Sequence, residues 1–503
     1  MDIQVYQEIA ATNTWGLIIP EILLVVLGLV ILMAELTSLG RNMNILFRTA
    51  LVGLTGILTY VMLTDSSAVT GQGSFGGLLE VSAAYEIKRV FFLISAIFVC
   101  VLARRFLSEA EVPKGEFLSI VCFITAAMMV LCGARHFLLL FVALETVTIG
   151  FYVLVAYSRN QVLSLEAGLK YLIMGALSTA ILLMGAALLY GVSGLPGLEG
   201  RTSEGMDFDA LSLFISLNPD HPMVLIGAAL VLCGICFKIG AVPFQIWVPD
   251  VYQGSPLPTT AFLAVASKAA GFFVLINLIT GPFRGLADLL IPLLSAIAVA
   301  TILFGNLSAL TQRSVKRVIG LSGIAHAGYL LLGATAAFTV AWAESAVMLY
   351  LFIYLFASFG LFGVINSVDT PAEEQSIDGY SDLSERSPFF GFVLVVSIGS
   401  LAGIPPLAGF IGKFFLFTAA FEAGLYLPLA AALVGVVLSI YYYFGWIREA
   451  VFRVWHSPGE RPLKELGSGL TNRISYRVAL GVVAFGTIIF GIYQKPLTQL
   501  VGL

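Results

Sequence analysis

The sequence is poor in charge. Only 11% of its 503 residues are Asp, Glu, Lys or Arg, and 59% are hydrophobic, whereas a soluble globular domain carries about 25% charged residues. The net charge is −4, and no basic block indicates a nucleic-acid-binding surface. This composition excludes an ordinary soluble protein and predicts a chain that lies in the lipid bilayer.

Cysteine and histidine are also scarce. Four histidines and five cysteines are present, and the cysteines all fall inside predicted helices. Cys233 and Cys236 have the spacing of a redox or zinc motif, but no second pair or histidine cluster accompanies them. No Walker motif, iron–sulfur cysteine set or dinucleotide-binding unit is present. We therefore expect buried thiols, no metal site and no cofactor in this chain.

Long apolar runs are what the sequence has instead. Runs of about 18 or more apolar residues, long enough to span a bilayer, recur along its length. They predict an all-α polytopic membrane protein with about fourteen transmembrane helices, near 15–36, 45–64, 86–107, 116–133, 136–157, 166–190, 222–241, 257–280, 286–305, 316–338, 341–367, 388–404, 426–449 and 476–494. Two short apolar pieces, 243–252 and 407–422, each follow a proline break.

The distribution of positive charge predicts the orientation. An even number of spans puts both termini on one side, and cytoplasmic loops carry an excess of Lys and Arg. With both termini outside, the inner loops contain most of the basic residues, including Arg41, Arg104, Arg105, Lys114, Arg313, Lys316, Arg317, Arg448 and Arg453. We therefore predict that both termini lie on the outer side.

Four charged side chains fall inside the apolar runs: Glu145, Lys238, Lys268 and Lys413. An ionised group at the centre of a bilayer helix costs at least ~2.5–3.5 kcal/mol. A chain that carries four such groups is expected to use them, and the usual use is the movement of ions.

Two of these lysines flank proline breaks. Lys238 stands five residues before Pro243, and Lys413 stands seven residues after Pro406. Proline removes a backbone donor, so both helices should be broken within the membrane. Broken helices in corresponding halves indicate an ion site built on inverted repeats. We predict two inverted repeats of five helices, 116–280 and 281–450, between N-terminal helices in 1–115 and a loop and helix in 451–503.

A lysine that meets a carboxylate in one state and loses it in another can bind and release a proton. Glu145 is the only carboxylate deep enough in the apolar runs to serve Lys238 in this way. The structural alternatives are a static ion pair for Glu145 and Lys238, an ammonium group of Lys268 that reaches the interface, and a cap on freed carbonyls for Lys413.

Four other polar residues are secondary candidates. Glu166 and Lys170 are spaced i, i+4, as in a simple intrahelical pair. His326 lies well inside a predicted helix and titrates near neutral pH, so it is either a relay between lysine sites or a packing residue. Asp250 is expected at the interface. No energy source is visible, so the energy must come from another subunit or a second ion.

Two segments carry a family resemblance. KIGAVPFQIWVPDVYQGSPLPTTAFLAVASKAAGF (238–272) and LAGIPPLAGFIGKFFLF (401–417) resemble the signature of the antiporter-like subunits of proton-pumping NADH:quinone oxidoreductase, respiratory complex I. The segments GLIIPEILLVVLGLVILMAEL, GLKYLIMGALSTAILLMGAALLYG and LSGIAHAGYLLLG are most similar to subunit N of that complex. Lys413 also fits subunit N, because subunit M usually carries glutamate at this position.

The resemblance implies roles for these residues. Glu145 and Lys238 match the family's glutamate–lysine pair, Lys268 matches its connecting lysine, and Lys413 its exit-side residue. Glu166, Lys170 and His326 match positions that the family keeps polar. Quinone reduction elsewhere in the complex would open and close the Glu145–Lys238 pair, and the proton would pass through Lys268 to Lys413.

The resemblance also implies a setting. NAD, FMN, iron–sulfur clusters and quinone would be held by other subunits, and the neighbours would be subunit M and small subunits such as K and J. The location would be the bacterial inner membrane, with both termini periplasmic. The alternatives are a standalone cation/proton antiporter, a subunit M or L paralogue, a thylakoid or cyanobacterial relative, and a subunit needed only for assembly.

Overall fold

The computed structural model describes residues 13–37, 42–64, 73–368, 376–452 and 474–503. Arg41, Arg453 and most of the predicted loop after residue 451 lie outside the described residues. The helices are α1 (Ile19–Leu36), α2 (Met43–Leu63), α3 (Ala83–Glu109), α4 (Lys114–Cys132), α5 (Phe137–Val155), α6 (Val162–Ser193), α7 (Phe208–Leu217), α8 (Pro222–Ile239), α9 (Trp247–Gly254), α10 (Leu257–Thr280), α11 (Ala287–Leu310), α12 (Val315–Ala336), α13 (Ala343–Ser367), α14 (Leu383–Arg386), α15 (Pro388–Ala402), α16 (Ala408–Glu422), α17 (Tyr426–Val451), α18 (Ile474–Ile492) and α19 (Lys495–Val501).

The all-α membrane architecture is confirmed. Every predicted transmembrane segment coincides with a helix, and in the described ranges thirteen helical segments are long and apolar enough to cross a membrane. The predicted segment 388–404 corresponds to α15, which has only 15 residues. The count of fourteen spans and the repeat layout therefore stay predictions. The strands described are β1 (Gly73–Ser74) and β2 (Leu79–Glu80), which pair antiparallel with Gly73 opposite Glu80.

Three helices were not predicted: α7, α14 and α19, of which α7 is the longest, with 10 residues. α7 lies in the connection between α6 and α8, where the sequence has no apolar run long enough to span a bilayer. The carboxylate of Asp207 accepts hydrogen bonds from the main-chain nitrogens of Asp209 and Ala210, at 3.0 and 2.9 Å. This cap, together with burial of the apolar side chains Phe208, Leu211, Phe214 and Ile215, accounts for the helix.

Both proline breaks are confirmed. α8 ends at Ile239, and Gly240 follows with a φ of +74°. α15 ends at Ala402, and Gly403 follows with a φ of +84°. These positive φ angles favour glycine, because a side chain would be strained there. The chain resumes as α9 after the first break and as α16 after the second, so each break leaves helix ends beside a lysine.

The chain forms two compact units. Unit 1 comprises Met1–Cys100, Ala110–Ile239 and Ala266–Ile291, and unit 2 comprises Val101–Glu109, Gly240–Val265 and Pro292–Leu503. Small polar side chains join helices within unit 1: Ser119 Oγ donates to Gly28 O at 2.8 Å and Ser178 Oγ to Gly234 O at 3.3 Å. In unit 2, Asn366 Nδ2 donates to the Tyr476 hydroxyl at 3.3 Å. Such bonds are typical of helices that pack in lipid.

The helices differ in how far they are enclosed by protein. The apolar windows of α10 and α13 are each 94% buried and that of α12 is 100% buried, whereas that of α1 is 28% buried. α10 carries Lys268 and α12 carries His326. Both residues therefore lie on helices that protein rather than lipid surrounds.

Candidate functional site

Lys238 is buried at the end of α8, with 5% of its surface exposed. Its Nζ donates a hydrogen bond to Thr148 Oγ1 on α5 at 3.1 Å and lies 5.8 Å from the centre of the Phe151 ring. Thr148 uses its own proton to bond Leu144 O at 2.7 Å. The Thr148 oxygen is thus a pure acceptor for the lysine.

Glu145 lies one turn before Thr148 on α5, and Thr148 is the residue that binds Lys238. Its Oε1 atom is buried and has no hydrogen-bond partner in the part of the chain that the structure describes. No ion pair joins the two side chains there, because Lys238 binds Thr148 instead. The structure thus brings Glu145 and Lys238 to one site but leaves the pair open, which a static ion pair does not explain.

A groove between α5 and α6 reaches Glu145. It has a volume of about 610 Å³ and is lined by apolar side chains such as Phe141, Ile149 and Leu172, with Glu145 and Tyr152 among them. The Tyr152 hydroxyl is also buried without a hydrogen-bond partner among the described residues. A carboxylate therefore faces a groove that is lined mostly by apolar side chains.

Lys268 is buried in the middle of α10, with 5% of its surface exposed. It directly follows the π-helical turn Leu263–Ser267, a local widening often found at functional sites. The burial contradicts the alternative in which Lys268 reaches the interface.

The next turn of α10 runs close to Lys238. A Cβ atom added to Gly271 would lie 2.7 Å from Ile239 Cγ2 and 3.5 Å from Lys238 Cγ. Residues three apart lie on the same face of a helix. Lys268 is therefore one turn along α10 from the point where this helix touches Lys238.

Lys413 is buried on α16, with 3% of its surface exposed. Its Nζ donates to the carbonyl oxygens of Leu401 and Ala402, each at 2.9 Å, and lies 5.1 Å from the centre of the Tyr329 ring. These carbonyls end α15, where a helix offers unpaired acceptors and partial negative charge. This is the geometry expected for the alternative in which Lys413 caps freed carbonyl oxygens. Its role in proton movement stays a prediction.

His326 lies at the centre of a tyrosine cluster that the sequence analysis did not find. Its Nδ1 is 2.6 Å from the Tyr350 hydroxyl and its Nε2 is 3.3 Å from the Tyr443 hydroxyl. The rings of Tyr329 and Tyr354 lie 5.9 and 5.2 Å from the imidazole. One ring nitrogen of a neutral imidazole donates and the other accepts, so His326 can join two hydroxyls.

The tyrosine cluster extends to Lys413. Tyr329 lies under the Lys413 ammonium group, and a Cβ atom added to Gly412 would lie 2.8 Å from Tyr350 Cδ2. Asn306 continues the cluster, because its amide nitrogen is 3.3 Å from the Tyr329 hydroxyl and its amide oxygen 3.3 Å from that of Tyr442. His326 and Lys413 therefore share one polar pocket within unit 2.

Three of the four secondary candidates, Glu166, Lys170 and Asp250, lie nearer the surface than His326. Glu166 and Lys170 form the expected intrahelical ion pair at 2.8 Å, with side chains 51% and 40% exposed. Asp250 pairs with Arg317 at 3.3 Å, and both side chains are about one-third exposed, at 36% and 35%. The structure does not bring these residues into the site of Glu145 and Lys238 or that of His326 and Lys413.

Two basic residues that were assigned to inner loops, Lys316 and Arg105, lie in helices and are buried, which corrects their placement in a loop. Lys316, at the start of α12, donates to Ser255 O at 2.9 Å and Gln253 O at 3.4 Å. Arg105, on α3, binds Asn366 O and pairs with Glu109 at 2.9 Å. A charge near a predicted helix end is ordinarily solvated, and only tertiary packing buries it.

Among the residues that the structure describes, the cysteines and the metal-ligand residues form no recognisable centre. Cys100, Cys122, Cys132, Cys233 and Cys236 are all free. No group of three or more His, Cys, Asp or Glu side chains that could hold a metal occurs within the described ranges. The expectation that this chain holds no cofactor stays a prediction.

Comparisons with known proteins show the family to which the sequence of this chain is similar. Residues 134–439 match the model of the family "NADH:quinone oxidoreductase/Mrp antiporter, TM". The chain is 51% identical to NADH-quinone oxidoreductase subunit N 1 of Opitutus terrae over 506 residues, which cover 99% of each chain.

Solved structures are similar over almost the full length. A chain of respiratory complex I from Thermus thermophilus with bound aureothin has a TM-score of 0.77 and 28% identity, over 96% of this chain and 99% of that one. A chain of the Mrp complex from Dietzia sp. has a TM-score of 0.79, over 97% of each chain. Its identity is 18%, so this second likeness concerns the fold alone.

Proposed function

Because the chain belongs to the family of NADH-quinone oxidoreductase subunit N, we propose that three buried lysines and one histidine carry protons across the membrane in the order Lys238, Lys268, His326, Lys413. The chain is a multi-pass membrane subunit of this proton-translocating enzyme. Its match to subunit N over nearly the full length favours this function over a standalone antiporter.

One observation carries the proposal: the pair of Glu145 and Lys238 is open. The lysine ammonium group binds a neutral hydroxyl, while one glutamate oxygen one turn away is buried with no hydrogen-bond partner among the described residues. A small movement of the lysine side chain from Thr148 to Glu145 would close the pair. Because a carboxylate stabilises the charged form of an amine, closing the pair favours proton uptake and opening it favours release.

The free energy available from opening and closing this pair is similar to the cost of moving a proton across a charged membrane. Moving one elementary charge through 100 mV takes about 2.3 kcal/mol. Each unit by which the pKa of a group changes corresponds to about 1.4 kcal/mol. The gain or loss of one close carboxylate in a dry site can change a lysine pKa by a few units, which is enough to move a proton against this potential.

Unit 2 would receive and release the proton. Lys413 is held by two carbonyls and shares a pocket with His326. An imidazole that joins two hydroxyls can pass a proton from one nitrogen to the other. We place the release site at Lys413 for this reason.

The energy would come from other subunits. NADH oxidation and quinone reduction need NAD, FMN, iron–sulfur clusters and quinone, which we assign to partner subunits rather than to this chain. We propose subunit M and small subunits such as K and J as neighbours. We also propose the bacterial inner membrane as the location, with both termini on the periplasmic side.

The test is Lys238→Ala in the assembled complex. We expect proton pumping and coupled quinone reduction to fall by a factor on the order of 100, the scale on which proton-transfer groups act. Pumping is measured as dye quenching in inverted membrane vesicles driven by NADH. Lys495→Ala, at an exposed lysine of α19, is the matched control. Near-normal pumping by Lys238→Ala would refute the proposal.

A further inference from the structure

Asn306 on α11 is a fully buried amide in the polar pocket that His326 and Lys413 share, and the proposed path does not use it. Its side-chain nitrogen only donates hydrogen bonds, and its oxygen only accepts them. A tyrosine hydroxyl or an imidazole, in contrast, does both and can pass a proton on. Asn306 therefore differs from its neighbours in the property on which proton transfer depends.

The hydrogen bonds of Asn306 fix which way its amide faces. Its Nδ2 donates to the main-chain carbonyl oxygen of Ile302 at 2.8 Å. A carbonyl oxygen only accepts, so the atom bonded to it must be the amide nitrogen and not the amide oxygen. Nδ2 also donates to the Tyr329 hydroxyl, and Oδ1 accepts from the Tyr442 hydroxyl, each at 3.3 Å. The amide thus has a donor on one side and an acceptor on the other, and neither role can be exchanged.

The amide closes the pocket on the side of α11. The ring of Tyr442 lies 4.6 Å from that of Tyr443, whose hydroxyl bonds the imidazole, and the ring of Tyr329 lies against the ammonium group of Lys413. Tyr350 bonds the other nitrogen of the imidazole and also touches α16 one residue before Lys413. A proton can therefore pass from the imidazole towards Lys413 without the amide.

α11 ends one turn beyond Asn306. Leu310 is its last residue, four residues or about 6 Å further along the helix axis, and Thr311 and Arg313, which follow, are exposed. The apolar window of the segment Arg284–Leu310 is 33% buried, whereas that of α12 is 100% buried. Proton-transferring groups that continued past Asn306 would bring the pocket within one helical turn of the surface.

A glycine on α17 makes room for this amide. A Cβ atom added to Gly435 would lie 2.8 Å from the Tyr329 hydroxyl oxygen and 2.9 Å from Asn306 Nδ2. Both distances are too short for a carbon atom, so a side chain at this position would displace the amide or the hydroxyl. The close approach of α17 at Gly435 therefore encloses the bond between Asn306 and Tyr329.

We propose that Asn306 blocks protons. It ends the proton-transferring groups of the pocket one turn before the surface at the end of α11, so that a proton on Lys413 does not return by that way. The predicted orientation makes this the inner surface, from which protons are pumped. No bond forms or breaks at Asn306, because its amide neither gains nor loses a proton. This inference rests on the proposed function, since a block is needed only where protons pass.

The main test is Asn306→Asp in the purified complex, reconstituted into liposomes. A carboxylate has nearly the shape of the amide, but it forms an O–H bond when it takes a proton from the pocket and breaks that bond when it gives the proton to water at the surface. A pH gradient is imposed without NADH, and its decay is followed with a pH-sensitive dye. We expect decay roughly tenfold faster than in the parent complex. Asn44→Asp, at an exposed residue of α2, is the matched control and should keep the parent rate.

Two further variants separate proton transfer from loosened packing. Asn306→Thr supplies a hydroxyl, which both donates and accepts. α11 already contains such a residue, because the Thr301 hydroxyl donates to Ile297 O. We expect faster decay in this variant as well. Asn306→Leu has a similar size but no polar side-chain atom, and we expect it to keep the parent rate.

The inference fails if Asn306→Asp holds the gradient as well as its control does. It also fails if Asn306→Leu loses the gradient as fast as Asn306→Asp, because the leak would then come from packing. If the Asp variant does not assemble, a Thr variant that keeps the parent rate overturns the inference, and failure of every variant to assemble would make Asn306 a packing residue.

Lys238→Ala separates this inference from the proposed function. If that variant stops pumping with NADH while Asn306→Asp and Asn306→Thr hold the imposed gradient, only this inference fails. If Lys238→Ala pumps normally while Asn306→Asp leaks, only the proposed path fails.

Discussion

Lys238 and Lys413 both lie beside a proline-containing break, yet their ammonium groups bind different acceptors. Lys238 donates to the hydroxyl of Thr148, one turn from the carboxylate of Glu145. Lys413 donates to the carbonyl oxygens of Leu401 and Ala402, which end a helix. A carboxylate carries a full charge and a helix end only about half of one. A change in geometry therefore alters the binding of a proton more at the first lysine than at the second.

This difference assigns different tasks to the two units. In unit 1, the lysine has a neutral acceptor that it occupies and an ionic one that it does not. In unit 2, the lysine already occupies the carbonyls that it can cap, and its ammonium group lies against the Tyr329 ring, which also contacts His326. We therefore place the switch at Glu145 and Lys238, and we regard the Lys413 pocket as the site that receives its proton.

The largest effect on proton pumping should come from removing the charged acceptor near Lys238, so that this lysine, like Lys413, has neutral acceptors. Glu145→Gln keeps the shape of the side chain but leaves Lys238 with only neutral acceptors. We expect pumping to fall by a factor on the order of 100 without loss of assembly, as measured by dye quenching in inverted vesicles. Glu204→Gln, at an exposed residue between α6 and α7, is the control. If the Glu145→Gln complex pumps like the control, the carboxylate near Lys238 does not act as the switch, and the proposed difference between the two units is wrong.

A smaller effect should follow from Lys413→Arg. A guanidinium group can still cap the carbonyls of Leu401 and Ala402, but it does not release a proton near neutral pH. We expect normal assembly and a fall in pumping of about tenfold. Lys495→Arg is the matched control. Full pumping by Lys413→Arg would mean that Lys413 is only a cap, and the release site would have to be sought elsewhere in unit 2.

The smallest effect should come from Thr148→Val, which removes the hydroxyl that holds Lys238 away from Glu145. A neutral hydrogen bond contributes about 1 kcal/mol, which corresponds to roughly fivefold in an equilibrium. We expect the closed pair to gain population and turnover to slow by up to about this factor, as measured by NADH-driven quinone reduction. Thr148→Ser keeps the hydroxyl and should behave like the parent protein. Equal rates for the valine and serine variants would show that Thr148 does not hold the pair open.

Much of the fold could be predicted from the sequence, because length and hydropathy set membrane helices directly. The breaks after Lys238 and before Lys413 also followed from local chemistry, since proline cannot continue a helix. α7 was missed because a helix of 10 residues is too short to give a membrane signal and depends on a cap at Asp207.

The candidate site could be predicted only in part. Glu145, Lys238, Lys268 and Lys413 stood out because each is a charge within an apolar run. The tyrosines around His326 did not, because Tyr350 and Tyr443 are ordinary residues in distant helices and meet only through packing. Burial of Lys88 and Lys316 near helix starts also depends on neighbouring helices rather than on local pattern. The open state of the Glu145–Lys238 pair is likewise a property of how α5 packs against α8.

The most direct test of the switch is the distance between Lys238 Nζ and the Glu145 carboxylate in electron cryomicroscopy structures of the whole complex, at rest and during turnover with NADH and quinone. Our account predicts two arrangements: one with the lysine on Thr148, as here, and one with it within ion-pair distance of Glu145, about 4 Å. A lysine that stays on Thr148 in every state would contradict it.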